Sequence, residues 1–379
     1  MLSLYSPRLL VTAAALVFAL LPSIGAQDSG NKPASRQLDQ LQQYLKRYPD
    51  ADANKDGKHT FDEARAYLKK LRESGQPFPG RREAKAVALP APDHKDVSYG
   101  PHERNVFDLW LAKTDKPAPL VVFIHGGGFV GGDKSKLSRD ALQQARDAGA
   151  SVMAINYRFR QHAPIQDILR DAARAIQFVR LNAAKYNLDP KRVGCFGGSA
   201  GAGASLWLAV HDDLAAPKSD DPVLRQSSRI SAAACISGQA SYDMTEWDKL
   251  VGEFKKEWRH GDAEHFEFYH FKSEVDFKTP SGKRVLDDCS MYRLLSKDDP
   301  PILMISAQPN VEPNNRGAYV HHPRHALVIK KRGDEMGVKV QIHLQGDGTA
   351  NTTVTAVEFL LKHLGSAPRE AALSATQGN

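Results

Sequence analysis

Ser199 stands between small residues in Gly197-Gly198-Ser199-Ala200-Gly201, directly after the apolar run Arg192-Val193-Gly194-Cys195-Phe196. A serine placed where a buried strand gives way to a helix presents its hydroxyl at the tip of a strained turn. Gly197 and Gly201 remove Cβ atoms that would collide where strand and helix come close, and Ala200 offers a backbone N–H to whatever the serine attacks. These features predict a nucleophile at Ser199. A phosphate-binding turn would need GxGxxG or GxxxxGK[ST], and neither spacing can be read here. A second stretch, His125-Gly126-Gly127-Gly128-Phe129, follows the apolar run Leu120 to Ile124. Its glycines let the chain turn back over a sheet with N–H groups pointing inward, where Gly127, Gly128 and Ala200 would hold the oxyanion of an acyl-transfer intermediate. One such donor is worth roughly 3 kcal/mol in a transition state.

The elements that must position these residues are legible as short apolar runs alternating with helical stretches. Leu120 to Ile124, Ser151 to Tyr157, Val193 to Phe196, Ala232 to Ile236 and Ile302 to Ile305 are unbroken, as in a parallel sheet covered on both faces. Ile165, Ile168, Leu169, Ala172, Ala175, Ile176, Val179 and Ala183 form one apolar helix face, closed by Asn187-Leu188-Asp189-Pro190. Val97 to Tyr99 and Asn105 to Leu111 read as an antiparallel hairpin at a sheet edge. The fold class is therefore α/β, mostly parallel, with the site at the carboxyl ends of the strands.

With both glycine-rich motifs in place, the stretch from about Val97 to Leu364 resembles the α/β-hydrolase esterases, particularly the branch similar to hormone-sensitive lipase and to acetyl-xylan and feruloyl esterases. The resemblance is carried by His125 to Phe129 with Gly131-Gly132-Asp133-Lys134, by Asn156-Tyr157-Arg158, by Asp189-Pro190-Lys191-Arg192-Val193 and by Gly197 to Gly201. It implies carboxylic ester substrates, Ser199 as nucleophile and Gly127, Gly128 and Ala200 as the oxyanion hole, with no cofactor for catalysis. The rest of the triad departs from the pattern. Where an Asp should follow the strand at Pro301 to Ser306, Asn310 stands, with Glu312 two residues on. The loop after the last strand, Gln345 to Asn351, contains no histidine. His343 falls on the solvent face of its strand, and His363 lies far along the final helix. His321, His322 and His325 follow the acid's loop on the side where Ser199 would lie. One of them could serve as base, although the preferred reading has them solvated or satisfying a helix end.

Upstream, Asp52-Ala53-Asn54-Lys55-Asp56-Gly57-Lys58-His59-Thr60-Phe61-Asp62-Glu63 has the twelve-residue register of an EF-hand calcium loop between two amphipathic helices. Asp52, Asn54, Asp56, the Lys58 carbonyl, Thr60 and Glu63 would supply hard oxygen ligands to a structural Ca²⁺. Pro49 shortens the entering helix, and His59 takes the place of the usual apolar residue, so a lone site with a Kd on the order of 10⁻⁴ M is expected.

The predicted organisation is a signal peptide over 1–26, an EF-hand module over 35–73, a linker over 74–96, a hydrolase domain over 97–365 and a disordered tail over 366–379. Leu9 to Leu21 is apolar but too short to span a bilayer, and small residues at Ser23, Gly25 and Ala26 offer cleavage. A secreted or periplasmic protein follows, with no membrane span after signal cleavage. The formal charge of +7 is dispersed, which gives no nucleic-acid signature. Three cysteines are too few for a disulfide framework, though Cys195 and Cys235 lie in runs that could be neighbouring strands. The partners expected are a small-molecule or polysaccharide ester. Three readings stand: an exported serine esterase, a hydrolase-fold binding protein that lost turnover, and an EF-hand module mediating attachment.

Overall fold

The computed structural model describes residues 67, 89–258, 264–345 and 352–366. The predicted signal peptide, the calcium loop with Asp52, Asn54, Asp56, Lys58, Thr60 and Glu63, and the tail beyond Ser366 lie outside them. The chain divides into two compact units, Met1–Ala88 and Leu89–Asn379. The second carries one eight-stranded sheet in the order β1-β2-β4-β3-β5-β6-β7-β8. Its strands are β1 (His94–Ser98), β2 (Val106–Trp110), β3 (Ala118–Ile124), β4 (Ser151–Ile155), β5 (Leu188–Gly198), β6 (Ala232–Ile236), β7 (Ile302–Ser306) and β8 (Val340–Leu344). The predicted hairpin is β1–β2, antiparallel, and β2 runs antiparallel to β4; the remaining pairs are parallel.

The second unit begins earlier than the predicted start at Val97. Pro90 and Asp93, read as linker, are tied down because the Trp110 indole donates to the Pro90 carbonyl (2.8 Å) and the Leu111 amide to the Asp93 carboxylate (2.7 Å). Prolines and charges hid these contacts, since an edge segment held by side chains needs no apolar period.

Alternation along β3 shows how the sheet is covered. Leu120, Val122 and Ile124 enter one buried cluster, and Val121 and Phe123 enter the other. On the first face lie helices that include α2 (Ile165–Leu181), α3 (Ala200–Val210) and α6 (Pro323–Met336); on the second lie α1 (Arg139–Asp147) and α7 (Thr352–His363). Every residue of α3 is buried, and its first half, Ala200 to Ser205, is made of small residues for a reason. A Cβ on Gly201 would sit 1.9 Å from the Ile124 carbonyl oxygen, so only glycine admits the helix this close to β3. Between β6 and β7, the charged insert contains α4 (Pro280–Cys289) and shorter turns, and it buries Trp247, Phe268 and Tyr269. The segment after β7 forms the short helix α5 (Arg316–Val320) before α6. Among the described residues no helix is long and apolar enough to cross a membrane.

Cys195, Cys235 and Cys289 are all buried free thiols. The bridge left open between Cys195 and Cys235 is not formed. β5 and β6 are neighbours, but their register pairs Cys195 with Ala233 and Gly197 with Cys235, two residues out of step.

Candidate active site

Ser199 occupies the turn from β5 to α3 with φ 53° and ψ −118°, a conformation that costs a non-glycine residue energy and is held by its neighbours. Its amide donates to the Ile236 carbonyl (2.9 Å), and its own carbonyl accepts from Gly203 (3.0 Å). The hydroxyl points elsewhere, and Oγ lies 2.8 Å from Nε2 of His321.

The histidine arrives from an unusual place. His321 closes α5, on the crossover after β7, rather than following β8. Its Nδ1 lies 3.1 Å from the Gly317 carbonyl oxygen, which also accepts the His321 amide (3.2 Å). A carbonyl can only accept, so the proton resides on Nδ1 and the Nε2 lone pair faces the serine hydroxyl. Burial holds the His321 pKa below its ordinary value, partly offset by the bond to Gly317, so the ring is a neutral acceptor at neutral pH.

Neither acid candidate meets it. Asn310 is exposed, and Glu312, also exposed, pairs with Arg324, which holds its carboxyl below the usual range. A backbone carbonyl thus occupies the position where a triad carboxylate would stand. The neighbouring histidines do other work. His322 caps α6, its Nδ1 accepting from the Arg324 amide (3.1 Å) while Nε2 donates to the Val311 carbonyl (2.8 Å). The sequence favoured histidines that are solvated or satisfy a helix end; His322 does the latter at the start of α6, and His321 does so at the end of α5 while also facing the serine. His325 is fully buried, accepts from the Ala240 amide at Nδ1 (3.2 Å) and packs edge-on against Trp247. Its Nε2 has no hydrogen-bond partner among the described residues, and burial drops its pKa to about 3.

The glycine-rich loop faces the same serine. Gly127 (φ 118°), Gly128 (φ 60°) and Phe129 (φ 60°) form a left-handed run, closed by bonds from the Val130 and Gly131 amides to the Gly127 carbonyl (3.0 and 3.2 Å). The amides of Gly127, Gly128 and Ala200 have no hydrogen-bond partner among the described residues. Ala200 is also the first residue of an eleven-residue helix, where the peptide dipoles add positive potential. A Cβ on Gly126 would stand 2.6 Å from the Gly198 carbonyl oxygen, which sets how closely loop and serine turn approach.

Residues that the sequence did not single out for this purpose brace the loop. Buried Lys134 is pinned between Asp96 and Asp108 (2.7 Å each), and its amide donates to the Asn156 side chain (2.7 Å). Asn156 in turn donates to Asp133 (2.8 Å). Burial raises the Asp133 pKa, but bonds from Ser135 and Asn156 outweigh it and hold the carboxyl at about 2. Arg104, from the β1–β2 turn, donates to the carbonyls of Tyr157 (2.8 Å) and Gly132 (3.2 Å), faces Nε2 of His125 (3.4 Å) and stacks on Phe159. His125 lies flat on Tyr157 with Nδ1 against the Gly126 carbonyl (2.8 Å), and burial lowers its pKa to about 4. Asp133, Lys134, Asn156 and Tyr157 were visible only as parts of a family pattern; Arg104 had no signal at all, because its role depends on loops brought together from distant parts of the chain.

A mixed sheet of this strand order, with a strained serine after β5 and a glycine-rich loop after β3, defines the α/β-hydrolase fold. Residues 107–312 match BD-FAE, and the chain belongs to this α/β-hydrolase esterase family. Among curated relatives, an Arabidopsis thaliana protein named a probable isoprenylcysteine alpha-carbonyl methylesterase is 34% identical over 145 residues, 38% of this chain and 30% of that protein. Esterase LipQ of Mycobacterium tuberculosis is 30% identical over 162 residues, 41% of this chain and 37% of the other. The chain thus spans about a third of the length of these relatives. Among solved structures, a truncated carbohydrate esterase from gut microbiota superposes with a TM-score of 0.57 at 22% identity, covering 72% of this chain and 96% of that one. A Thermogutta terrifontis esterase superposes with a TM-score of 0.53 at 20% identity, covering 76% and 100%.

Proposed function

We propose that the chain is an exported serine hydrolase of carboxylic esters, with Ser199 as nucleophile, His321 as general base and Gly127, Gly128 and Ala200 as oxyanion donors. The observation that carries this reading is the 2.8 Å contact between the Ser199 hydroxyl and the Nε2 lone pair of His321. Ser199 Oγ attacks the ester carbonyl carbon as its proton passes to Nε2, and the three amides hold the resulting oxyanion. The imidazolium then protonates the leaving alkoxide, which departs and leaves an acyl-serine. Water, deprotonated by the same nitrogen, attacks the acyl carbon, and the proton returns to Ser199 as the carboxylic acid leaves. Gly317 keeps the ring in the working tautomer but contributes only a carbonyl dipole to the imidazolium, so acylation favours esters with good leaving groups. Two esterase features argue against a binding protein without turnover: a serine held in a strained turn and a base already at hydrogen-bond distance. Acylated polysaccharide is the substrate class favoured here, supported by the fold shared with the carbohydrate esterase.

The EF-hand register supports a structural Ca²⁺ on Asp52, Asn54, Asp56, Lys58, Thr60 and Glu63, and the leader supports export to the periplasm or beyond. Labelling of the purified protein with a fluorophosphonate, with Ser199→Ala and heat-unfolded protein as controls, tests the reaction. Labelling confined to folded protein bearing Ser199 supports it, and an unlabelled folded protein leaves the binding reading as the better account. Calcium titration calorimetry on wild type and Glu63→Gln tests the loop, with heat of binding expected for wild type alone.

A further inference from the structure

Among the described residues no carboxylate meets the base, and the placement of the ring rests on other contacts. The segment directly after β6 is attached to both partners. At its start, the Ile236 carbonyl accepts the amide of Ser199 (2.9 Å), and Ile236 pairs with Gly198 in the sheet. Ser237 then turns with φ 52° and anchors its amide on the Ile305 carbonyl of β7 (2.7 Å). Gly238 presses on α3, where a Cβ would come 2.9 Å from that of Ala202. Gln239, only 3% exposed, donates from Nε2 to the carbonyl of Val320 (3.0 Å), the peptide joined to His321. Its nearer partner along the chain is the Ser237 carbonyl (3.4 Å), and the next residue, Ala240, donates to His325 on α6 (3.2 Å).

We propose that Gln239 is a positioning residue for the Ser199–His321 pair, the link through which the post-β6 segment holds the base at the serine. This rests on the esterase reading above. The reason for an amide here is chemical: its N–H₂ can bind two carbonyls, Ser237 behind and Val320 ahead, and so bridges the elbow side of the site to the base side. A nucleophile–base distance is unforgiving, since a misplacement of about 1 Å can cost about a hundredfold in rate.

Gln239→Met keeps length and approximate volume but removes the donor. Gln239→Glu places a carboxylate toward the Val320 carbonyl, which repels it, and adds negative charge beside the base. For both, hydrolysis of p-nitrophenyl acetate, fluorophosphonate labelling rate and melting temperature are compared with wild type. The expected result is a fall in kcat and labelling rate of about ten- to a hundredfold with KM within about twofold. In Gln239→Glu the acid limb of the pH profile should also move to higher pH, because a nearby carboxylate favours the imidazolium. Wild-type kcat and an unmoved acid limb in folded variants would overturn the proposal. So would losses that track the folded fraction alone, or failure of both variants to fold, because each marks Gln239 as merely structural. A wild-type protein that is folded yet neither hydrolyses nor labels overturns the esterase reading itself, a result separable from all of these.

Discussion

At the scale of single residues, the tautomer of His321 decides what chemistry is available. With Nδ1–H on the Gly317 carbonyl, Nε2 accepts the serine proton without rearrangement. His321→Ala should therefore reduce kcat by a factor of about a thousand or more while leaving KM near the wild-type value. Glu312→Gln should leave kcat/KM within about twofold, because that carboxylate is spent on Arg324 at the surface. Steady-state kinetics on the two variants distinguish a serine–histidine dyad from a triad closed by Glu312. The pH profile carries a second test. The working base is the neutral ring, and burial holds its pKa below the ordinary histidine value, so the acid limb of kcat/KM should lie below pH 6.5. A limb at or above 6.5 would mean that a carboxylate reaches the imidazole in solution.

At the scale of elements, the oxyanion loop depends on a left-handed run that side chains oppose. A Cβ on Gly127 would fall 2.2 Å from the Gly131 carbonyl oxygen, at φ 118°. Gly127→Ala should displace its amide and cost about 10² to 10³ in kcat, the price of one oxyanion donor, with the melting temperature showing whether the loop alone has moved. The helix that follows the base is sensitive in a different way. α6 starts on a histidine cap rather than a Ser, Thr, Asp or Asn, so His322→Ala should destabilise by about 1 kcal/mol in chemical denaturation. The same histidine binds Val311, which ties the post-β7 loop to the base, and some loss of rate should accompany the loss of stability.

At the scale of the whole molecule, two buried neutral histidines link stability to pH. His125 and His325 have pKa values lowered to about 4 and about 3, chiefly by burial. In the unfolded chain both return to about 6.5. Between those values the unfolded state binds protons that the native state refuses, so stability is full above about pH 6.5 and is lost as pH falls toward 4. Each contributes a slope of about 1.4 kcal/mol per pH unit. Denaturation midpoints measured from pH 7 to pH 4 should fall steadily, and His325→Gln should flatten the decline if it folds.

Some of this was written locally in the chain, and some was not. Ser199 with its glycines, and Gly127 and Gly128 after an apolar strand, could be read from sequence because a tight turn and a close helix–strand contact demand particular residue types at fixed spacing. The parallel core was legible for the same reason: strands buried on both faces must be apolar throughout. The base was not. His321, His322 and His325 are equivalent as sequence, and only the path of the chain after β7 brings one to the serine, one to a helix cap and one into the core. The partner of the base was equally illegible: the Gly317 carbonyl faces Nδ1, and any residue can offer a carbonyl. Motifs record what the local backbone requires, whereas the pairing of Ser199 with a histidine 122 positions later is a property of the assembled sheet and its crossovers.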